Sequence, residues 1–450
     1  MNAAVLTDRP RKFFGQPIAL AYLSFTEAWE RFSYYGMTSI LVLYMSQALL
    51  LPGHVEHIAG FSAFRATLES VFGPMTTLAL ASQIMGFYTG LVYFTPVLGG
   101  WVADRFTGRR LAVMIGAVMM SAGHLAMAFD ASFLLALFLL ITGCGLLKGN
   151  ISTQVGELYA ETDGEARTRA FAIFSIGINV GAVVGPLAVG LLAQLYGWHA
   201  GFGLAGALML IGLFTYIAGF RYLPADRPRA NIVRETTSLD RRQWRIIAAI
   251  AVVSAITIFQ SIGYYQNTNV NLIWIDRSVD LNLLGFQVPV AWFSSIDPLA
   301  SILGVPVLFA LWRWQATRRS EPDDLGKIAT GAWITAFANL LLVIACLFSS
   351  RTNAIVPIAY DVLLGIGFLY YWPTLLALVS RAAPETVKAT MMGAVFLSLF
   401  VANTLIGWLG GFYEHMTPAG FWAMHAGIAA TGGVLAFGLR RPLKRALAIE

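Results

Sequence analysis

The stretch Phe25-Thr-Glu-Ala-Trp-Glu-Arg-Phe-Ser-Tyr-Tyr-Gly36 decides how the whole chain reads. It lies inside an otherwise apolar segment, residues 17–50, long enough to cross a bilayer as a helix. An ionisable side chain at the bilayer centre costs about 2.5–3.5 kcal/mol on insertion scales, and such groups mark ion or substrate pathways. Here Glu27, Glu30 and Arg31 crowd into just over one helical turn. Glu27 and Arg31 are i,i+4 and Glu27 and Glu30 are i,i+3, so the three share one helix face. A packing pair neutralised within the helix accounts for the arginine and one carboxylate. The second carboxylate is left over, which favours a proton-coupling site.

The rest of the chain suits a membrane. Of its 450 residues 57% are hydrophobic and 12% charged, against about 25% charged in soluble proteins. Apolar runs between polar breaks give twelve expected spans, the first six at 17–50, 76–103, 111–129, 131–159, 167–196 and 200–221. The second six are 244–275, 288–312, 328–349, 354–380, 387–412 and 419–440. Of the 30 lysines and arginines, only Arg65, Arg277 and Arg351 fall on the face opposite the N-terminus, and Arg31 and Lys148 lie within spans. All others sit on the N-terminal side, so the positive-inside rule makes both termini cytoplasmic. That role accounts for the net charge of +6 without a nucleic-acid partner. The polar segment Met1 to Pro17 lacks the apolar core of a cleaved signal, so the first span is expected to direct insertion. Cys144 and Cys346 fall in apolar spans without metal-ligand spacing, so helix packing is expected of both, with no metal and no cofactor.

The longest charged interruption, Arg221 to Arg245, divides six spans from six. The expected architecture is therefore all-α: a polytopic membrane protein of twelve transmembrane helices in two parallel six-helix bundles. These comprise residues 1–222 and 244–450, joined by a cytoplasmic linker at 223–243. A basic loop follows the second span of each half, Asp104-Arg-Phe-Thr-Gly-Arg-Arg110 in the first and Arg313-Trp-Arg-Trp-Gln-Ala-Thr-Arg-Arg319 in the second. The former, with Gly100, Asp104, Arg105, Gly108, Arg109 and Arg110, resembles the loop motif of the major facilitator superfamily. Gly177, Gly181 and Gly185 repeat at i+4 in the fifth span, a small-xxx-small packing face.

Lys148, in Gly145-Leu-Leu-Lys-Gly-Asn150, lies about ten residues from either end of its span, roughly 15 Å by helical rise. That depth disfavours snorkelling to an interface. Pairing with Glu27 or Glu30 is expected, and a lysine able to exchange that partner for a substrate carboxylate is a ligand-responsive switch. His124 and His425 have no sequence partner in their spans and read as hydrogen-bonded packing residues.

Taken together, Glu27-x-x-Glu30-Arg31-Phe32-x-Tyr34-Tyr35, Lys148, Tyr93 and Phe174-Ser-Ile-Gly-Ile-Asn179-Val-Gly181 resemble the proton-dependent oligopeptide transporter family. The likeness continues through Pro289-Val-Ala-Trp-Phe-Ser-Ser-Ile-Asp-Pro298 and Met391-Met-Gly393. It implies proton-driven import of di- and tripeptides. By that resemblance Arg31, Tyr35 and Lys148 would hold the peptide carboxylate, with Tyr34 and Tyr93 in the same site, and Asn179 would help hold the amine. The second half departs from the family pattern. Phe368 stands where a glutamate usually precedes Pro373 by five residues, and Asp297 replaces a usual asparagine. Asp361 lies two turns before Phe368, nearer the external end. Thr38 and Tyr265 occupy the places of an arginine and a glutamate that pair across the outer gate in many bacterial members. The linker has no room for the two extra helices common in those members.

Asp297 could supply the anion that a zwitterion's amine needs in a low-dielectric cavity. Counting from the start of the eighth span near Val288, helical rise places it roughly 13–15 Å deep. Tyr34, Tyr35, Tyr88, Tyr93, Tyr264, Tyr265, Tyr370 and Tyr371 either line a polar cavity or anchor interfaces. The leading function is a symporter importing small peptides with protons through the inner membrane, functional as a monomer in the lipid bilayer. Transport of another small zwitterion or anion, and a proton-independent facilitator, are the alternatives. No Ser/His/Asp grouping, phosphate loop or HExxH pattern supports an enzyme.

Overall fold

The computed structural model describes residues 12–160, 163–226, 239–318, 321–349 and 351–447. In chain order its helices are α1 (Ile18–Tyr44), α2 (Phe61–Phe72), α3 (Thr77–Val102), α4 (Arg109–Ala126), α5 (Phe133–Glu157), α6 (Gly164–Tyr196), α7 (Trp198–Gly219) and α8 (Arg241–Tyr265). There follow α9 (Val270–Ser278), α10 (Ile296–Thr317), α11 (Asp324–Phe348), α12 (Ile355–Ala382), α13 (Lys388–Gly410), α14 (Pro418–Gly438) and α15 (Arg440–Leu447). Nearly all of the described chain is helical. Among the described residues, ten helices with their adjoining turns are long and apolar enough to cross a membrane, those built on α3, α5 to α8 and α10 to α14. The other two long helices carry charge: α1 holds Glu27, Glu30 and Arg31, and α4 begins with Arg109 and Arg110.

In the first half α1 packs along α6 and α7, α4 against α5 and α7, and α3 against α5. In the second half α11 packs between α12 and α14, α8 against α13 and α14, and α10 against α12. The halves meet where α3 lies along α13, and where α6 meets α10 and the turn Val290–Ser295 before it.

The glycine stripe of α6 makes the approach of α1 possible. A Cβ on Gly181 would stand 2.7 Å from the Ala28 carbonyl oxygen and from the Phe32 nitrogen, and one on Gly185 would stand 2.5 Å from the Phe32 oxygen. Both distances are shorter than real Cβ contacts. Gly181→Val should therefore push α1 from α6 at a cost of about 1–3 kcal/mol. A thermal melt of the detergent-purified variant should show a lowered midpoint; an unchanged midpoint would mean the helices separate freely.

On the face that carries the chain ends, the basic loop is an anchor. Arg109 bridges Glu157 at the end of α5 and Asp104 at 3.3 Å. Asp226 accepts the backbone N–H groups of Arg109 at 2.9 Å and Arg110 at 3.2 Å, capping α4. Arg110 donates to the Pro224 carbonyl at 2.7 Å, tying down the start of the linker. Residues 227–238 of that linker, and Arg9, Arg11 and Arg319 of the basic count, lie outside the described residues. In the second half Asp323 caps α11 and binds Arg440 at 2.9 Å and Lys444 at 3.2 Å. Partial burial raises its carboxyl, but the bonds from Arg440, the Gly326 N–H and Lys444 outweigh this and hold it below its ordinary value. The contact is thus strongest at neutral pH and weakens as pH falls through that lowered value.

Two expected spans are not continuous α-helices. The seventh, read as 244–275, stops at Tyr265. It passes through the tight turn Gln266–Thr268 and resumes as α9 after Asn269, whose φ is −123° and ψ −109°. The run Gln266-Asn-Thr-Asn269 supplies side chains that bond elsewhere: Asn269 donates to Ser82 Oγ at 2.9 Å and Gln266 to the Ile406 carbonyl at 3.4 Å. The eighth, read from 288, is a 3₁₀ helix over Val290–Ser295 and becomes α-helical only at Ile296. The amphipathic helix α2, which buries Phe61 and Leu68, and the short α15 lie outside the expected spans.

Candidate functional site

The first-helix cluster is assembled as its spacing requires. Arg31 Nε lies 3.3 Å from Glu27 Oε1, and the guanidinium grips Glu30 with two nitrogens, Nη2 donating at 2.5 Å. Glu27, Glu30 and Arg31 are all buried, at 2%, 0% and 2% exposure, so their charges depend on one another. Glu30 takes the guanidinium; Glu27 Oε2 has no partner. Arg31 also stands 5.1 Å over the ring of Tyr34, which stacks on Tyr88 at 6.3 Å.

Lys148 is near this cluster but not in it. Among the described residues no carboxylate lies within ion-pair distance of its ammonium, which stands 4.8 Å over the ring of Tyr93. The expected pairing with Glu27 or Glu30 is thus absent, and Tyr93 is the neighbour.

Tyr93 is also a wall of the cavity between the halves. The first half contributes Tyr34, Tyr35, Tyr93 and Asn179, and the second Tyr264, Tyr265, Asn267, Asp297 and Phe368. Its volume is about 170 Å³ to the centres of water-sized spheres. One water needs roughly 10–15 Å³ on that measure, so the cavity has room for a small solute. Glu27, Glu30, Arg31 and Lys148 are not among its lining residues. Of the expected substrate residues, then, Tyr34, Tyr35, Tyr93, Asn179 and Asp297 come together, and Arg31 and Lys148 stand behind them.

Asp297 is the second residue of α10 and follows directly on the 3₁₀ helix Val290–Ser295, which packs against α6. Its exposure is 7%. Tyr264 donates to Asp297 Oδ2 at 2.5 Å and Asn267 donates to the same oxygen at 3.4 Å. Phe368 stacks on Tyr264 at 5.2 Å, so the aromatic residue steadies the tyrosine that holds the carboxylate. Asn267 escaped the sequence reading because it sits in the turn that breaks the seventh span.

Cross-half hydrogen bonds gather on the face away from the chain ends. Ser82 donates to the Gly407 carbonyl at 3.0 Å, Trp292 to the Leu187 carbonyl at 2.9 Å, and Ser295 to the Val183 carbonyl at 2.7 Å. The innermost joins Tyr265 to Tyr93, hydroxyl to hydroxyl at 3.3 Å. Among the described residues none joins the halves nearer the chain ends. His425 bonds the Phe421 carbonyl and Gln266, as a packing residue should. His124 is fully buried with neither ring nitrogen partnered, contrary to the expected hydrogen bond.

The family model PTR2, described as the POT family, matches residues 110–240 and 230–422. The chain is 28% identical to an uncharacterized transporter, YclF, of Bacillus subtilis (strain 168), over 99% of this chain and 98% of that one. It is 26% identical to a di-/tripeptide transporter of Lactococcus lactis subsp. cremoris, over 97% and 98%. A crystal structure of peptide transporter POT in complex with sulfate superposes with a TM-score of 0.84 at 26% identity, covering 97% of each chain.

Proposed function

The chain belongs to the POT family, and from that premise we propose a proton-coupled symporter that imports di- and tripeptides by alternating access. It is a transporter and not an enzyme. The observation that carries the substrate reading is the cavity between the halves: tyrosine hydroxyls and Asn179 on one wall, a single buried carboxylate, Asp297, on the other. A peptide is a zwitterion, and its two ends need opposite partners where water is scarce. Asp297 and Asn179 receive the amine. Tyr34, Tyr35 and Tyr93 receive the backbone and carboxylate, with Arg31 and Lys148 supplying positive charge from behind them.

Coupling follows from competition for Arg31. While Glu27 and Glu30 are ionised they hold the guanidinium. A proton on one of them frees it for the substrate carboxylate, so proton and peptide bind together better than either alone. The two halves rock about the cavity. We take them as six-helix bundles at 1–222 and 244–450 joined by the linker 223–243, with α1 and α4 completing twelve spans. Both termini face the cytoplasm of an inner-membrane protein that acts as a monomer.

The test is transport by the purified chain in proteoliposomes. An outside-acid gradient should drive dipeptide accumulation, and added dipeptide should acidify the lumen. Uptake indifferent to the gradient would make the protein a facilitator. Accumulation of amino acids or nitrate in place of peptides would leave coupling standing but discard the substrate. Asp297→Asn should weaken binding of free-amine peptides by about tenfold, the 1.4 kcal/mol of a lost charge-assisted hydrogen bond, and leave N-acetylated peptides unaffected. Equal losses for both would show that Asp297 does not meet the amine.

A further inference from the structure

Behind Asp297 lies a second carboxylate that the mechanism above does not use. Asp361 is on α12, 2% exposed, and no hydrogen bond or ion pair reaches it among the described residues. One turn further along α12 is Gly365, pressed against Asp297 so closely that a Cβ there would meet Asp297 Oδ1 at 3.0 Å and the Asp297 backbone oxygen at 2.8 Å. Asp361 therefore sits about one helical turn, ~5 Å, from that contact, and the charge of Asp297 acts on it.

The two oxygens of Asp297 have different surroundings. Oδ2 accepts from Tyr264 and Asn267; Oδ1, on the α12 side, accepts from nothing although it is buried. The Asn267 Oδ1 atom and the Tyr360 hydroxyl, the latter adjoining Asp361 in the chain, are also buried without partners. Among the described residues no lysine or arginine neutralises the pair. The turn after α8 presents Asn267, α8 itself Tyr264 and Tyr265, and α12 Tyr360 and Tyr371. Across the cavity α1 presents Tyr35 and α3 Tyr93. On α14, His425 is already bonded to Phe421 and Gln266. Asp276 and Arg277 are at the outer end of α9, and Cys346 of α11 is drawn to Trp274.

Two buried carboxylates without a cation cannot both be ionised cheaply; one proton stays. We propose that Asp297 and Asp361 form a second proton-binding site, in the second half, holding one proton between them. When a substrate amine pairs with Asp297, the negative charge settles there and the proton on Asp361. When the site empties, the proton is shared again. The transfer conserves charge, since the proton moves only between the two carboxyls. This deepens, and in its substrate step rests on, the reading of Asp297 as the amine's partner.

The pair can be read without any transport. In infrared difference spectra of the purified chain, grown with carboxyl-labelled aspartate, a protonated aspartic carbonyl band should be present near neutral pH and vanish at alkaline pH. Asp361→Asn and Asp297→Asn should each move its midpoint acid by about one pH unit or more, and the double variant should lose the band. No aspartic band in the unaltered chain overturns the proposal whatever the variants do. So does an Asp361→Asn spectrum with the midpoint unmoved, provided the variant still melts cooperatively. Because no substrate is present, failure here leaves the peptide reading intact, and failure of peptide transport leaves the band unchanged.

Discussion

Glu27→Gln or Glu30→Gln should abolish proton-driven accumulation while leaving counterflow exchange of substrate measurable. The expectation rests on arithmetic within a buried cluster: two carboxylates face one guanidinium, and one oxygen of Glu27 is left without a partner. A glutamine cannot take up or release the proton, so the step in which Arg31 changes partners loses its trigger. It remains a hydrogen-bond acceptor of similar shape, so packing of α1 against α6 and α7 should survive. The loss should exceed a hundredfold in accumulation ratio, about 2.7 kcal/mol of coupling. A Gln variant that still concentrates substrate against its gradient would move the coupling site elsewhere, and the aspartate pair of the second half would be the first place to look.

Lys148→Ala should lose transport and substrate-induced thermal stabilisation together. Among the described residues no carboxylate lies within ion-pair distance of the ammonium, which stands over Tyr93, so a substrate carboxylate has no such partner to displace. Removing an intramembrane charge that meets substrate typically costs several kcal/mol, because the substrate carboxylate is then desolvated without compensation. Equal affinity of the unaltered protein for a peptide and its C-terminal amide would count against this role. Retained stabilisation by peptide in Lys148→Ala would show that Tyr34, Tyr35 and Arg31 suffice to hold the carboxylate.

Much of this was legible because intramembrane charge is so costly that its spacing carries meaning. The triad of α1, the α6 glycines and the basic loop follow from local rules, and the structure assembles them accordingly. The differences have local physical causes. The sequence reading took apolar length as one uniform α-helix, whereas Gln266-Asn-Thr-Asn269 interrupts the seventh span and the eighth opens as a 3₁₀ helix. Side chains that bond to a neighbouring helix, such as Asn269 to Ser82, end a helix in ways hydropathy does not register. The pairing of Lys148 differs because helix periodicity says which residues share a face of their own helix, and nothing about which side chain of another helix a long ammonium meets.

The outer closure has a further consequence. Its contacts are hydroxyl to hydroxyl, indole to carbonyl, amide to hydroxyl and, at the rim, neutral donors to single carboxylates, Gln47 to Asp276 at 2.8 Å and Thr76 to Glu414; among the described residues every ion pair stays within its own half. A latch without opposed charges is short-ranged and little screened, whereas ion pairs weaken as the Debye length shrinks. Brackish or dilute surroundings should therefore leave the gate's free energy nearly the same, and the groups at its rim that acid can reach are single carboxylates rather than ion pairs. The outer barrier is, in this respect, nearly deaf to salt.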